Sequence, residues 1–265
     1  GDMIVDPIRE PIGRIEILAA RQVIAQKIRE LEQEGVYNEF IDKEGTIVNG
    51  SVHKNERAGS VVKIGETMAF LPRSCTIPGE VIRVGYPIRV LLKEVLPSAQ
   101  GDHQLILDRA STDFVERLLE LEIPEVFEKI VEIKQIVRTA GYKSKIVVSS
   151  NSADVDPVGT CVGVGGARIK PILKELEGEK IDVVQWSGSI ERFVQDALKP
   201  AKVNRVEVLD DKVAKVWLDE DQIAGLLDAT NPEIPDDPRA TIPDDTIRSL
   251  NIKYLFGPLD DGRYA

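Results

Sequence analysis

The sequence predicts an α+β protein built from an N-terminal helix, a small five-stranded β-barrel and two consecutive α/β units. Apolar residues first recur at helical spacing, five short β-branched runs follow, and a mixed order of helices and strands then begins twice. The predicted boundaries divide the 265 residues into segments 1–42, 43–111, 112–188 and 189–265.

The first segment is dominated by one predicted helix, over residues 14–34. Its apolar side chains recur every three or four residues, the spacing of a single buried stripe: Ile17, Ala20, Ile24, Ile28 and Leu31. Gly35 is the expected C-cap, because glycine adopts the left-handed conformation that commonly ends a helix. We expect a spacer or docking arm, with an ordinary packed helix as the alternative.

Residues 43–111 change from helical to strand periodicity. Glycine and proline turn signals separate five short runs: TIVNGSV, SVVKI, TMAFL, IRVLLKEV and HQLILDR. Five strands in so short a segment are typical of a Greek-key barrel of the OB type. We therefore predict a small five-stranded barrel here.

The first α/β unit, over residues 112–188, is predicted to have the order α-β-β-α-α-β. Asp156 and Pro157 are the expected N-cap and first residue of one short helix. The helix–strand–strand order begins again after residue 188. We therefore expect a second, related unit over residues 189–265.

The most informative segment is a glycine cluster between two predicted helices of the first unit. The motif Gly163-Val164-Gly165-Gly166 has the form GxxG, whose glycines admit positive φ angles and let a ligand approach the backbone. A helix follows directly, which favours an anion, and Arg168 and Lys170 are candidates to contact the same phosphates. In this order of elements the loop is that of a type II KH domain, which clamps the backbone of about four nucleotides.

A dinucleotide-binding fingerprint is the competing interpretation of the glycine cluster. Gly163 and Gly165 resemble its start, but Arg168 stands where its third glycine or alanine belongs. Asp182, the candidate ribose ligand, begins a predicted strand instead of ending one. The KH interpretation therefore fits the surrounding elements better.

Other candidate contacts surround the loop. The groove beneath the bases is expected to be lined by three apolar residues: Val158, Val162 and Ile169. A basic hairpin is expected to attract RNA from a distance through four cations: Lys134, Arg138, Lys143 and Lys145. The alternatives are ordinary core side chains for the first set and a solvated hairpin for the second.

Several long motifs, occurring in one order, resemble the bacterial transcription termination/antitermination factor family NusA. IEILAARQVIAQKIRE and VYNEFIDKEGTIVNGSV are similar to its linker helix entering an S1 domain. FLPRSCTIPGE and VDPVGTCVGVGGARIKPILKELEGEKIDVVQW are similar to its S1 motif and first KH domain. The resemblance covers most of residues 14–228 and implies a second KH domain after residue 188.

The resemblance implies a function without catalysis. The family binds single-stranded RNA and RNA polymerase and modulates pausing, termination and antitermination, so RNA, polymerase and other elongation or antitermination factors are the implied partners. No cofactor and no membrane are implied.

The resemblance also implies an RNA-binding face on the barrel. S1-type domains often stack bases on aromatic residues of the second and third strands. The second strand here has no aromatic residue, which leaves Phe70 as the stacking candidate or, alternatively, as a core side chain. Nearby cations are candidates to follow the RNA backbone: Lys54, Lys63 and Arg73.

Two loops depart from the family pattern. The first GxxG usually carries a basic residue where this chain has Gly165, which implies a missing phosphate contact. In the second unit the two glycines would fall on Asp228 and Asn231, so a carboxylate stands where a phosphate should sit. An acidic, proline-rich insert follows at 231–245, with one further helix expected at 244–251. We expect this second unit to be degenerate and to serve structure or protein contacts.

The net charge of −11 is spread unevenly along the chain. Residues 129–174 carry +5 around the intact glycine loop, whereas residues 201–265 carry −6. Because RNA rewards basic surfaces, we expect it on the middle of the chain. No apolar run approaches the about 20 residues of a membrane span, and two cysteines with two histidines form no metal cluster.

These observations predict a cytoplasmic, RNA-binding transcription factor that captures nascent single-stranded RNA, without an enzyme active site or a metal. The alternative is a protein-interaction scaffold whose KH folds no longer bind RNA.

Overall fold

The computed structural model describes residues 13–100, 103–210, 213–218 and 249–251. These residues form a mixed α+β protein, as predicted. The helices are α1 (Arg14–Phe40), α2 (Thr112–Glu122), α3 (Pro124–Phe127), α4 (Pro157–Val162), α5 (Ile169–Glu175) and α6 (Ile190–Ala197). The strands are β1 (Ile47–Asn55), β2 (Gly59–Ile64), β3 (Thr67–Pro72), β4 (Pro87–Gln100), β5 (His103–Asp108), β6 (Val131–Thr139), β7 (Lys143–Ser150), β8 (Lys180–Gln185), β9 (Val203–Asp210), β10 (Val213–Leu218) and β11 (Ser249–Asn251).

Helix α1 is longer than predicted, and its C-terminal end is the part that packs. It continues past Gly35 to Phe40, so the expected C-cap is wrong. Phe40 is buried in the barrel core, and the side chain of Gln104 donates a 2.9 Å hydrogen bond to the carbonyl of Gln33. The predicted buried stripe is also wrong, because its larger side chains are 51–60% exposed: Ile17, Ile24, Ile28 and Leu31.

The next five strands close into the predicted barrel. The order is β1-β2-β3-β5-β4, antiparallel except for the parallel pair β3–β5 that runs through Ala69 and Phe70. Alternate side chains point inward, since successive residues of a strand face opposite sides. Val62, Leu71 and Leu107 are among the side chains that fill the barrel.

The first α/β unit has the predicted order with one addition, the four-residue helix α3. Its sheet runs β6-β7-β8, antiparallel between β6 and β7 and parallel between β7 and β8. The helices α2 and α5 contribute Phe114, Leu118 and Ile172 to a buried cluster with Ile146 of β7. One face of the sheet is thereby covered.

Helix α6 packs against both sheets of the α/β units. Its side chains share one buried cluster with strands of the first sheet and of the sheet β9–β10: Val147, Val184, Phe193, Val194, Ala214 and Val216. The helix expected at 244–251 is wrong at its C-terminal end, because Ser249–Asn251 form the strand β11. Pairing of β11 with β10 outweighs the weak helical preference of these residues. The loop at 228–231 and the insert at 231–245 lie outside the described residues. Among the described helices, none is long and apolar enough to span a membrane.

Arg109 joins the barrel to the first α/β unit. Its guanidinium group, 3% exposed, pairs with Glu80 after β3 at 2.6 Å and with Glu175 of α5 at 2.7 Å. Nearby, a Cβ added to Gly141 would lie 2.7 Å from the carbonyl oxygen of Pro78. These contacts fix the barrel against the unit that carries the glycine loop.

Candidate nucleic-acid interface

The glycine loop lies between the end of α4 and the start of α5. Gly163, Gly165 and Gly166 have φ angles of 75°, 62° and 78°, a region that glycine adopts without steric cost. Val164, at the tip, is 96% exposed. The chain therefore presents its backbone to solvent at this point, where an extended ligand could reach it.

The two cations beside the loop make different contacts. The guanidinium group of Arg168 donates hydrogen bonds to Glu125 at 2.8 Å and to the carbonyl of Thr160 at 3.0 Å, so it braces α3 and α4. Lys170 is exposed, and a Cβ built on Gly166 would lie 3.5 Å from its Cε atom. Lys170 is thus placed for a phosphate at the loop, whereas much of Arg168 is used within the protein.

The predicted apolar groove is assembled from α4 and α5. Asp156 caps α4 as predicted, accepting a 3.1 Å hydrogen bond from the N–H of Val158. Ile169 is buried, while Val158 and Val162 are half-buried against the same cluster. The structure therefore brings the three groove candidates together, partly as core.

Lys145 was predicted to lie on a basic surface, and this prediction is wrong. Its side chain is buried, and its ammonium group donates a hydrogen bond to the carbonyl of Ala197 at the end of α6. Packing of α6 against this sheet encloses the lysine, and local sequence gives no sign of it. Lys134 does lie at the surface, where it is ion-paired with Glu132.

The other two cations of the hairpin are buried as well. Arg138 and Glu179 form an ion pair in which the side chains are 1% and 0% exposed, and Lys143 pairs with Asp182 at 2.9 Å. Each partner stands about 40 residues away in the chain. Three of the four hairpin cations are therefore enclosed by partners within the protein, whereas Lys134 lies at the surface.

An aromatic pair lies on the outer face of the barrel. The rings of Phe70 and His103 stack with centroids 5.3 Å apart and planes 4° apart. Ala69 and Leu71, on either side of Phe70, belong to the core, so the alternative of Phe70 as a core side chain is wrong. A Cβ on Gly59 would lie 3.0 Å from the ring, so glycine lets Phe70 lie across β2.

His103 is a candidate that sequence reasoning missed. Within the described residues its Nδ1 atom is buried and has no hydrogen-bond partner, and its ring stacks on Phe70. The period-two pattern of HQLILD indicated a strand. Only the parallel pairing of β3 with β5, which no local pattern reveals, places this ring against Phe70.

Two lysines share the outer face with the aromatic pair. Lys54 and Phe70 lie opposite the same residue of β2, and Lys63 is two residues further along that strand. Residues directly opposite one another point to the same side of a sheet. Lys54 is ion-paired with Glu56 at 2.7 Å. The hydrogen bond from Lys54 and its positive charge lower the pKa of Glu56.

Lys63 is ion-paired with Glu66 at 3.2 Å. Arg73 is exposed in the turn after β3, where its N–H donates a 2.9 Å hydrogen bond to the carbonyl of Ala58. We call the outer surface of the barrel at these strands the barrel face: Lys54, Lys63, Phe70 and His103.

Comparison with known proteins finds similarity over most of the chain. A family model described as the NusA-like first KH domain matches residues 109–186. The transcription termination/antitermination protein NusA of Thermus thermophilus is 41% identical over 225 residues, which are 84% of this chain and 58% of that protein. The protein of the same name from Bacillus subtilis is 38% identical over 215 residues, 81% of this chain and 58% of that protein. The chain thus spans about 58% of the length of these relatives.

Proposed function

Because this chain belongs to the NusA family of transcription termination/antitermination proteins, we propose that it binds nascent single-stranded RNA and modulates termination and antitermination. Its action is equilibrium binding and needs no catalytic group. RNA polymerase and other elongation or antitermination factors are proposed partners from family membership, and no described surface is assigned to them.

The observation that carries the proposal is the glycine loop. Three positive-φ glycines and an exposed Val164 leave the backbone accessible directly before α5, with Lys170 beside it. A loop of this form clamps about four nucleotides by their backbone, while the bases lie on the adjoining apolar groove. In this proposal Lys170 neutralises a phosphate, and Val158, Val162 and Ile169 underlie the bases.

The barrel face is proposed as a second contact on the same RNA. A base stacks on the pair Phe70–His103, and Lys54 and Lys63 follow the backbone. Arg109 holds the barrel against the first α/β unit, so one RNA meets two pre-arranged surfaces. The proposed domains are the S1-type barrel at 43–111 and KH units at 112–188 and 189–265.

The decisive experiment places negative charge in the glycine loop without disturbing its packing. A Cβ on Gly163 would lie 3.0 Å from Arg168 Cγ, so that position is unsuitable. Val164 is exposed, and a Cβ on Gly165 has no atom within 4 Å among the residues that the structure describes. The variant is therefore Val164→Asp/Gly165→Asp, and its matched control is Val164→Asn/Gly165→Asn. Asp and Asn both tolerate the left-handed conformation and differ here in charge.

Short single-stranded RNAs are titrated against the three proteins at several salt concentrations. We expect the Asp variant to bind about tenfold or more weakly than the wild type, because carboxylates repel phosphates at this range, and the Asn control to bind nearly as the wild type does. Equal affinity of all three proteins would contradict the loop as the RNA site. Absence of wild-type binding at tens of micromolar near about 100 mM salt, where non-specific contacts alone give roughly that affinity, would favour a protein-interaction scaffold.

A further inference from the structure

The sheet of the second unit has one face that does not pack on α6. Val206 and Val216 lie opposite one another in β9 and β10 and belong to the cluster around α6. Arg205 lies opposite Trp217, and Lys215 is two residues from Trp217 along β10. Since side chains alternate along a strand, these three point away from α6. We call them the tryptophan face: Arg205, Lys215 and Trp217.

Two cations flank the indole ring on this face. The guanidinium carbon of Arg205 lies 4.9 Å and the Nζ atom of Lys215 lies 5.2 Å from the ring centroid of Trp217. The Arg205 side chain is 69% exposed, and its ion pair with Glu207 is long, at 3.7 Å. An exposed pair of this kind contributes little, so the arginine can turn to another anion at small cost.

We propose that the tryptophan face binds single-stranded RNA by stacking a base on Trp217 while Arg205 and Lys215 contact the flanking phosphates. The proposal rests on the RNA-binding function proposed above and adds a contact in the unit whose own loop is expected from its sequence to be degenerate. Stacking on aromatic side chains between cations is how proteins hold single strands without sequence preference. When a base stacks on the indole ring, it displaces one of the two cations. The displaced cation then lies beside the phosphate of that same nucleotide.

The charge of the segment limits what this face does alone. Residues 201–265 carry −6, so long-range attraction of RNA to this unit is not expected. The face therefore acts on RNA already held by the glycine loop, as a local contact. For the same reason an acidic protein partner is not attracted to this unit over a long range either.

The chain offers a direct optical test, since it contains two tryptophans, Trp186 and Trp217. In the variant Trp186→Phe, all tryptophan emission comes from Trp217. An oligo(A) RNA of about 12 nucleotides is titrated into this protein. We expect a saturable loss of emission that follows the binding curve of the same RNA measured by anisotropy of a fluorescent label.

The charge variant Arg205→Ala/Lys215→Ala is made in the same background. It should raise the RNA concentration that gives half-maximal quenching about fivefold or more. The matched control is Arg14→Ala/Lys27→Ala, which removes one arginine and one lysine from α1 and should leave the quenching unchanged. If Trp186→Phe proves unstable, Trp217→Ala in the natural chain is measured by anisotropy and should bind RNA about fivefold more weakly.

Failure of this inference is distinguishable from failure of the proposed function. Val164→Asp/Gly165→Asp in the Trp186→Phe background should retain saturable quenching at higher RNA concentration. Unchanged emission while anisotropy saturates would overturn the tryptophan face and leave the glycine loop standing. Emission that changes with protein concentration in the absence of RNA would assign this face to self-association and also overturn the proposal.

Discussion

The three glycines of the GxxG loop all have positive φ angles, but the space available for a side chain differs between them. Gly163 is constrained twice, because a Cβ there would also lie 3.0 Å from Arg168 Cγ. Gly165 is constrained by conformation alone, since no atom of the described residues lies within 4 Å of its Cβ position. Gly165 is therefore the position at which a side chain can be added to the proposed RNA-binding surface.

Gly165→Arg tests this difference. The added cation should strengthen RNA binding and steepen the slope of log K against log salt by about 0.7, the value for one phosphate of a single strand. The left-handed conformation should lower the free energy of unfolding by about 1–2 kcal/mol. Gly165→Gln has the same backbone cost without the charge, so it should lose stability equally and gain no salt dependence. An unchanged slope for the arginine variant would show that no phosphate passes this position.

Burial determines the chemistry of Cys161. It raises the pKa of this thiol from 9.0 to about 11. Between these values the unfolded chain loses the proton while the native protein keeps it, so the unfolded state binds fewer protons and stability falls as pH rises. The predicted slope is up to about 1.4 kcal/mol per pH unit. Urea unfolding from pH 8 to 10.5, under reducing conditions, should show this component in the wild type and in Cys75→Ala but not in Cys161→Ala. Equal slopes in all three proteins would contradict it.

At the scale of single elements, periodicity predicted more than charge did. Period-two runs located the barrel strands, and the N-cap at Asp156 located α4, because these signals act within a few residues. The cations of the β6–β7 hairpin indicated a solvated surface, yet Lys145 and the side chain of Arg138 are buried. Their partners belong to distant segments, and burial of a charge depends on where such a partner stands. The stacking of His103 on Phe70 has the same origin in long-range pairing.

Helix α1 continues past Gly35 because its C-terminal end packs against the barrel. Phe40 anchors the last turn in the barrel core, and this burial outweighs the entropic cost of Gly35 inside the helix. The N-terminal half has no comparable contact in the described structure, and its apolar stripe, which includes Ile24, is exposed. The stability of the helix therefore depends on one end.

Paired substitutions in α1 test this asymmetry. Phe40→Ala should lower the free energy of unfolding by about 3 kcal/mol or more, because a buried aromatic leaves a cavity. Ile24→Ser should leave it unchanged within error, since its side chain is 60% exposed. Urea denaturation monitored by circular dichroism measures both. Comparable losses in the two variants would mean that the stripe is covered in solution.

At the scale of the whole molecule, the two proposed RNA surfaces lie on units that one junction joins. Arg109 lies at the end of the barrel and is enclosed by Glu80 and Glu175, while its guanidinium carbon lies 5.1 Å from the Phe114 ring centroid. Ile77 of the barrel segment joins the hydrophobic cluster of the first α/β unit. Barrel and α/β unit thus share both an ionic and an apolar core, and we expect them to unfold as one cooperative unit.

Arg109→Met tests this cooperativity because both tryptophans lie outside the barrel. The substitution keeps an apolar stem but leaves Glu80, 4% exposed, without its partner, which should lower the free energy of unfolding by about 3 kcal/mol or more. In one cooperative unit the transition reported by tryptophan emission shifts together with that reported by circular dichroism. The control is Arg89→Gln, which removes the half-exposed ion pair to Glu122 across the same junction and should change stability by less than about 1 kcal/mol. If tryptophan emission keeps the wild-type midpoint while circular dichroism shifts, the barrel unfolds independently. The two proposed RNA surfaces would then be joined flexibly, and one RNA would gain less from meeting both.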